Sequence, residues 1–354
     1  MFNAAYYGLV AEALAAEQRG FDRARFLKIV RAGLADLTLI QRVRRTSEAA
    51  EAAMPGDFLA KLDVIMRIAP RLPRGFTGIW LPDFVGCFGQ DHRDESLDAL
   101  RFLTPFSSAE FAVREFLKRD LERTLVVMTG WSKDENEHVR RLASEGSRPR
   151  LPWSFRLERI VADPALTAGI LENLRADPSL YVRKSVANHL NDVSKDHPEW
   201  MLARLKSWDL QHPHTRWIAR HASRTLIKAG HRAALTLFDF GGKPRVKIAA
   251  LQIGPRKLRL GQTLAIACTI ESATRQEQRL AVDYVVHYVK AAGGTSAKVF
   301  KWREITLAPG AKVSLAKNQV IRDFTTRRHY AGRHRVEIQV NGRRLASGHF
   351  DLSG

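Results

Sequence analysis

The chain reads as a mainly α protein, a solenoid of paired helices followed by a smaller all-β sandwich. Three observations carry this expectation. Apolar residues recur at helical spacing through roughly the first 230 positions, a degenerate unit repeats within that stretch, and alternation with period two replaces it after a glycine and proline linker. The implied domains are 1–240 and 245–354.

Helical spacing is clear in Phe26, Ile29, Val30 and Leu34, and again in Leu59, Leu62, Ile65 and Ile68. Breakers divide the stretch. Met54-Pro55-Gly56-Asp57 is expected to end one helix and cap the next, and the segment from Ala69 to Gly75 to form a longer connection. Further breaks fall at Thr104-Pro105, from Gly146 to Pro152, and at Asp163-Pro164, Asp177-Pro178, His197-Pro198 and His212-Pro213.

The repeating unit is clearest in Asn136 to Ala143 and Leu180 to Ala187, with a third copy at His214 to Arg220. Its arginines, Arg140, Arg183 and Arg216, are 43 and 33 residues apart, in the range of two-helix solenoid repeats. Such repeats stack into a curved array with an extended concave face. Arginines placed alike on successive helices would line one groove, with Lys184 and Arg220 beside them, as tracking a phosphate backbone requires. A single such arginine is more commonly a solvated side chain or an ion-pair partner within its own helix.

After Phe240-Gly241-Gly242-Lys243-Pro244, alternating apolar residues mark strands at Val246–Ile248, Leu264–Ile270, Val282–Tyr288, Phe300–Trp302, Val313–Leu315 and Val336–Val340. About seven strands in roughly 110 residues suggest a β-sandwich, immunoglobulin-like in architecture only, since no cysteine pair marks an antibody-type domain. Asn341-Gly342 is expected to make a two-residue hairpin turn.

Composition narrows the function. No run of uncharged apolar residues is long enough to span a bilayer, and Glu12 and Glu17 interrupt a beginning that lacks a basic signal-type region, so the chain reads as cytoplasmic. Cys87 and Cys268 lie far apart and offer neither a disulfide framework nor a metal-binding pair. The net charge of +20 favours a polyanionic partner. Most of it is in the tail: residues 243–354 hold 21 Lys and Arg against 7 Asp and Glu, a net of +14. A phosphate-clamping role and a solubilising surface are both open on that count.

The chain has no glycine-rich phosphate loop, no nucleophile elbow and no zinc-protease helix, which leaves nucleotide hydrolysis, acyl transfer and zinc proteolysis unsupported. Polar residues concentrate instead in Ser107 to Arg114, Leu142 to Trp153 and Val186 to Pro198. Glu110 follows two serines and reads locally as a helix-capping or dipole residue. Glu145 precedes Gly146 near a helix C-terminus, where a carboxylate opposes the macrodipole and calls for a reason. Arg148, Arg150 and Trp153 follow within one proline-stiffened stretch, and an ion pair of Glu145 with Arg148 is the bland alternative.

The runs Arg-Leu-Ala-Ser-Glu-Gly-Ser-Arg-Pro-Arg-Leu-Pro-Trp, ending at Trp153, and Ala-Asn-His-Leu-Asn-Asp-Val-Ser-Lys-Asp-His-Pro, ending at Pro198, resemble the AlkC branch of the AlkC/AlkD DNA alkylation-repair glycosylases. With Thr104 to Leu117 upstream, the resemblance covers most of residues 1–230, and some members also carry an immunoglobulin-like C-terminal domain. It implies a monofunctional glycosylase that removes N3-methylated adenine and cytosine from duplex DNA without drawing the base into a conventional pocket. It implies no metal and no cofactor, a monomer, and a bacterial cytosol or nucleoid. On the matching runs, Glu110 and Glu145 become the catalytic carboxylates, Trp153 an aromatic neighbour of the lesion sugar, and Asp192 a nearby polar support. From the recurring unit and the basic stretch before Trp153, Arg140, Arg148, Arg150, Arg183, Lys184, Arg216 and Arg220 are the expected DNA-binding set. The rival expectation is a HEAT-like scaffold without catalysis that holds nucleic acid or an acidic protein. Carboxylates inside a basic groove separate the two, because a pure phosphate binder has no use for them.

Overall fold

The computed structural model describes residues 1–325 and 327–353. They form two compact units, Met1–Met201 with Ser207–Ala222, and Leu202–Lys206 with Ser223–Gly354. The chain begins with α1 (Ala4–Glu17), α2 (Arg23–Arg31), α3 (Leu39–Ala53), α4 (Phe58–Ile68), α5 (Trp80–Phe88), α6 (Arg93–Leu103), α7 (Val113–Arg119) and α8 (Leu121–Trp131). It continues through α9 (Glu137–Gly146), α10 (Glu158–Ala162), α11 (Ala168–Asn173), α12 (Leu180–Val193), α13 (Pro198–Ser207), α14 (Pro213–Ala222), α15 (Arg224–Ala229) and α16 (Arg232–Leu237).

Local chemistry sets the helix starts. A short polar side chain at the N-cap accepts an amide proton that the first turn would otherwise leave unpaired. Asp57 caps α4 through Ala60 N at 2.9 Å, as its place after Pro55-Gly56 predicts. Asn136 caps α9 and Ser179 caps α12 in the same way. Buried Val182, Val186, Leu190 and Val193 give α12 an apolar face, and this helix packs against both α9 and α14. That packing brings the second and third polar segments of the sequence side by side.

The second unit contains β1 (Val246–Gly254), β2 (Lys257–Arg259), β3 (Thr263–Ser272), β4 (Gln278–Val289), β5 (Thr295–Leu307), β6 (Lys312–Val320), β7 (Gly332–Val340) and β8 (Arg343–Ser353). They make a three-stranded sheet in the order β1-β3-β6 and a five-stranded sheet in the order β2-β8-β7-β4-β5. All pairs are antiparallel except β2 with β8. Alternate residues Leu264, Ile266, Cys268 and Ile270 of β3 share a core with Val282, Tyr284 and Val286 of β4. Asn341 and Gly342 form the expected tight turn, with φ of 46° and 76°. Sequence alternation left out β2, which is too short to show a pattern, and β8, where Gly348 and charged residues interrupt it.

Two short helices fall on the other side of the division from that expected at residue 240. α15 and α16 belong with the strands because the Lys228 carbonyl accepts from Gln339 Nε2 at 2.9 Å and the Phe240 carbonyl accepts from Asn341 Nδ2 at 3.0 Å. Gly230 and Gly342 also approach so closely that a Cβ on Gly342 would lie 2.1 Å from the Gly230 Cα. β4 is buried on both faces along most of its length.

Candidate active site

Within the helical unit, a cleft of about 580 Å³ opens between the loop before α7, the end of α9 and the start of α12. Phe76, Phe106, Phe111, Trp153 and Tyr181 wall it, and Glu110, Arg141 and Glu145 form its polar end. α9 supplies two of these charged groups from one face. Arg141 and Glu145 are one turn apart, so both side chains emerge toward the cleft while Val139, Leu142 and Ala143 face the core.

The charges alternate in sign along a continuous chain. Glu110 Oε2 accepts from Ser108 Oγ at 2.7 Å and pairs with the Arg141 guanidinium, which also donates to Ser108 Oγ at 2.6 Å. Arg141 Nη2 lies 3.5 Å from Glu145 Oε1, and Arg148 Nη1 donates to the same oxygen at 2.6 Å. Arg148 then turns its Nε to Asp192 Oδ2 at 2.8 Å, and Lys195 Nζ donates to Asp192 Oδ1 at 3.0 Å. Glu145, Arg148 and Asp192 are all buried. Burial by itself would push the Glu145 pKa up, but the two guanidiniums outweigh it and hold the carboxyl below its ordinary value. The same partners keep Arg141 and Arg148 above theirs against the opposing effect of burial.

Trp153 stands differently. Its side chain is 72% exposed, its φ is +66°, and its indole meets Phe76 edge-on at 6.2 Å between ring centroids. A bulky residue in the left-handed region is held there by its surroundings, as functional loops commonly require.

Glu110, Glu145, Trp153 and Arg148 thus meet at one cleft, and Asp192 lies behind it as the partner of Arg148. Local reading of Glu110 as a helix cap is not what the structure holds. The residue capping α7 is Ala112, which offers no side-chain hydrogen bond, and the Glu110 carboxylate turns to Arg141 instead.

The expected arginine-lined groove also needs correcting. Arg140 donates from Nη1 to the carbonyls of Asp134 and Glu135 and pairs with buried Asp177 through Nε at 2.7 Å. Arg183 does the equivalent, donating from Nη1 to the carbonyls of Asp177 and Pro178. Each lies four residues beyond its N-cap and folds back over the preceding loop. Their recurrence is therefore a repeated loop staple, because those loop carbonyls need donors that the helix cannot provide. Arg148 is committed to Glu145 and Asp192, and Arg150 holds Asp196 through two nitrogens, at 3.0 and 2.7 Å. Lys184 is exposed, while Arg216 and Arg220 are half-buried on α14 with contacts of their own.

Sequence reasoning passed over two residues. Arg141 could have been found from its spacing of four to Glu145 and its place beside Arg140. Arg114 is fully buried, a lone arginine in the apolar segment Phe111 to Leu117, and it donates to the carbonyls of Gly146, Arg148 and Phe155. An arginine at such a position signals an internal partner, although nothing in the sequence says which.

Carboxylates at the foot of an aromatic-walled cleft belong to the helical unit, and a basic β-sandwich follows it in the chain. Residues 103–226 match the family described as DNA alkylation repair enzyme, and residues 247–354 match the C-terminal Ig-like domain of the uncharacterised protein YhaZ. The chain is similar to the uncharacterized protein YhaZ of Bacillus subtilis (strain 168), with 40% identity over 91% of this chain and 90% of that one. It is also similar to a solved structure, the Pseudomonas fluorescens alkylpurine DNA glycosylase AlkC bound to DNA containing an abasic site analog. There the identity is 51%, the coverage 100% of this chain and 98% of that chain, and the TM-score 0.97. The chain belongs to the DNA alkylation repair family, in its AlkC branch.

Proposed function

We propose that this protein is a monofunctional DNA glycosylase that excises cationic N3-alkylated bases, 3-methyladenine and 3-methylcytosine, from duplex DNA. The observation that carries the proposal is Glu145, a buried carboxylate kept ionised by two guanidiniums at the end of an open cleft. An N3-alkylated base already bears positive charge and leaves with little protonation. The catalytic burden therefore falls on the deoxyribose, which becomes cationic as the N-glycosidic bond breaks. A fixed carboxylate close to that sugar stabilises the developing charge.

The electrostatics divide the labour. A carboxylate held ionised is suited to stabilise positive charge, so Glu145 acts as the charge stabiliser, and the second carboxylate at the cleft, Glu110, positions the attacking water. Arg141 and Arg148 orient the carboxylates, and Asp192 fixes Arg148. The indole of Trp153 adds cation–π attraction to the same sugar. The Pseudomonas fluorescens relative, an alkylpurine DNA glycosylase, supports the glycosylase reading and a purine substrate. We further read the helical unit as a HEAT-like repeat body and residues 245–354 as an immunoglobulin-like domain that adds sequence-independent hold on DNA, in a monomer of the bacterial cytosol.

The test is release of free base from methylated duplex DNA, followed by chromatography. Appearance of 3-methyladenine and 3-methylcytosine, undiminished by EDTA, is expected, and uracil in DNA is expected to stay in place because its leaving group is uncharged. Tight binding without base release would replace this reading with that of a non-catalytic scaffold. Inhibition by EDTA reversed by zinc or magnesium would replace the mechanism.

A further inference from the structure

Trp153 lies in a loop that has no regular structure, is mostly exposed and adopts a left-handed φ, yet its placement must be fixed if it is to meet a substrate. The loop has few bonds of its own. Ser154 N donates to the Leu151 carbonyl at 3.3 Å and Leu157 N to the Pro149 carbonyl at 3.2 Å. A second tie between its two ends comes from α7. Arg114 Nη1 donates to the carbonyls of Gly146 at 2.9 Å and Arg148 at 2.6 Å, and Nη2 donates to that of Phe155. These carbonyls lie on both sides of Trp153. The guanidinium also sits 5.3 Å from the Phe155 ring centroid.

Backbone geometry makes this clamp possible. A Cβ on Gly146 would come within 2.4 Å of Val113 Cγ1, so only glycine lets the end of α9 approach the start of α7 closely enough for Arg114 to reach. Full burial drives the Arg114 pKa down, to about 10, with Arg148 adding to the effect. Carbonyl dipoles thus take the place of a counter-ion. A methionine of similar size would fill the volume and leave three carbonyls without their donor.

We infer that Arg114 is a positioning residue for the proposed excision, acting through the backbone of residues 146–155 to present the Trp153 indole and to aim the Arg148 side chain at Glu145. The inference rests on the glycosylase reading for its catalytic consequence, but the clamp itself does not. A displacement of the order of 1 Å in a catalytic group costs about a hundredfold in rate. Arg114→Met in the full-length protein is therefore expected to lower the single-turnover excision constant about a hundredfold while changing DNA affinity less than about threefold. Arg114→Lys, which keeps a donor for part of the set, is expected to recover part of the loss. A purely structural role would lower the yield of folded protein and leave the rate per folded molecule within about threefold, and that outcome overturns the inference.

A second measurement needs no variant of Arg114. The difference in time-resolved fluorescence anisotropy between the wild-type protein and Trp153→Phe reports the motion of one indole. A clamped loop predicts that this indole tumbles with the whole protein despite its exposure. Fast local rotation would overturn the clamp whatever the variants do. Failure of the wild-type protein to release any base would sink the glycosylase reading while leaving the anisotropy result to decide the clamp.

Discussion

Glu145 shows how one carboxylate can be buried and remain charged. Two guanidiniums more than offset its desolvation, and each guanidinium is shared with a further carboxylate, Glu110 for Arg141 and Asp192 for Arg148. Glu145→Gln preserves shape and removes the charge. Single-turnover base release is expected to fall at least a hundredfold, about 2.7 kcal/mol of transition-state stabilisation, with DNA affinity within about threefold. Near-normal release would remove Glu145 from the reaction. Arg140 carries the opposite expectation. Its guanidinium is spent on Asp177 and two loop carbonyls, so Arg140→Gln should lower thermal stability, by about 1–3 kcal/mol, and leave the salt dependence of DNA binding unchanged. A shallower salt slope in that variant would restore Arg140 to the phosphate-binding set.

At the scale of elements, α9 and α12 form the frame of the site, and His189 is one of its joints. The imidazole is fully buried on α12, with Nδ1 3.0 Å from the Ser144 carbonyl on α9 and Nε2 3.2 Å from Thr167 Oγ1. Burial lowers its pKa from 6.5 to about 4, so the folded protein keeps it neutral. As pH falls below about 6.5 the unfolded chain binds a proton that the folded one refuses, and stability declines until about pH 4. The slope from this group is at most about 1.4 kcal/mol per pH unit. Above 6.5 it contributes no slope. Glu145, held below the ordinary carboxylate range, keeps its stabilising charge through most of this window and loses it only in stronger acid. Chemical denaturation of the wild type and of His189→Gln between pH 7 and 4 checks the assignment. Equal slopes in the two proteins would place the acid sensitivity elsewhere.

For the whole molecule, the uneven charge is the main lever. Residues 243–354 hold a net +14, and Arg322 and Arg328 are exposed in the connection between β6 and β7. If that unit binds the DNA backbone, replacing both with glutamine weakens binding on every sequence alike. It also makes log affinity against log salt shallower by up to about 1.8, or about 0.9 for each phosphate that is no longer neutralised. Base release at saturating protein should persist, because the charged cleft lies wholly in the helical unit. An unchanged slope would assign this charge to solubility or to another partner.

The sequence by itself determined the order of an α half and a β half, several helix starts, the Asn341-Gly342 turn and the segments holding Glu110, Glu145, Trp153 and Asp192. These are local matters, governed by periodicity, capping chemistry and tolerance of positive φ. Tertiary structure decided the partners. Glu110 resembles a cap until the Arg141 guanidinium, 31 residues on, is brought beside it by packing. Arg140 and Arg183 resemble groove-lining cations until their loops fold under them. Arg114 has no reading at all until Gly146 meets Val113. A charged side chain acquires its role from whatever faces it, and spacing along the chain specifies that only for neighbours on the same element, such as Arg141 and Glu145.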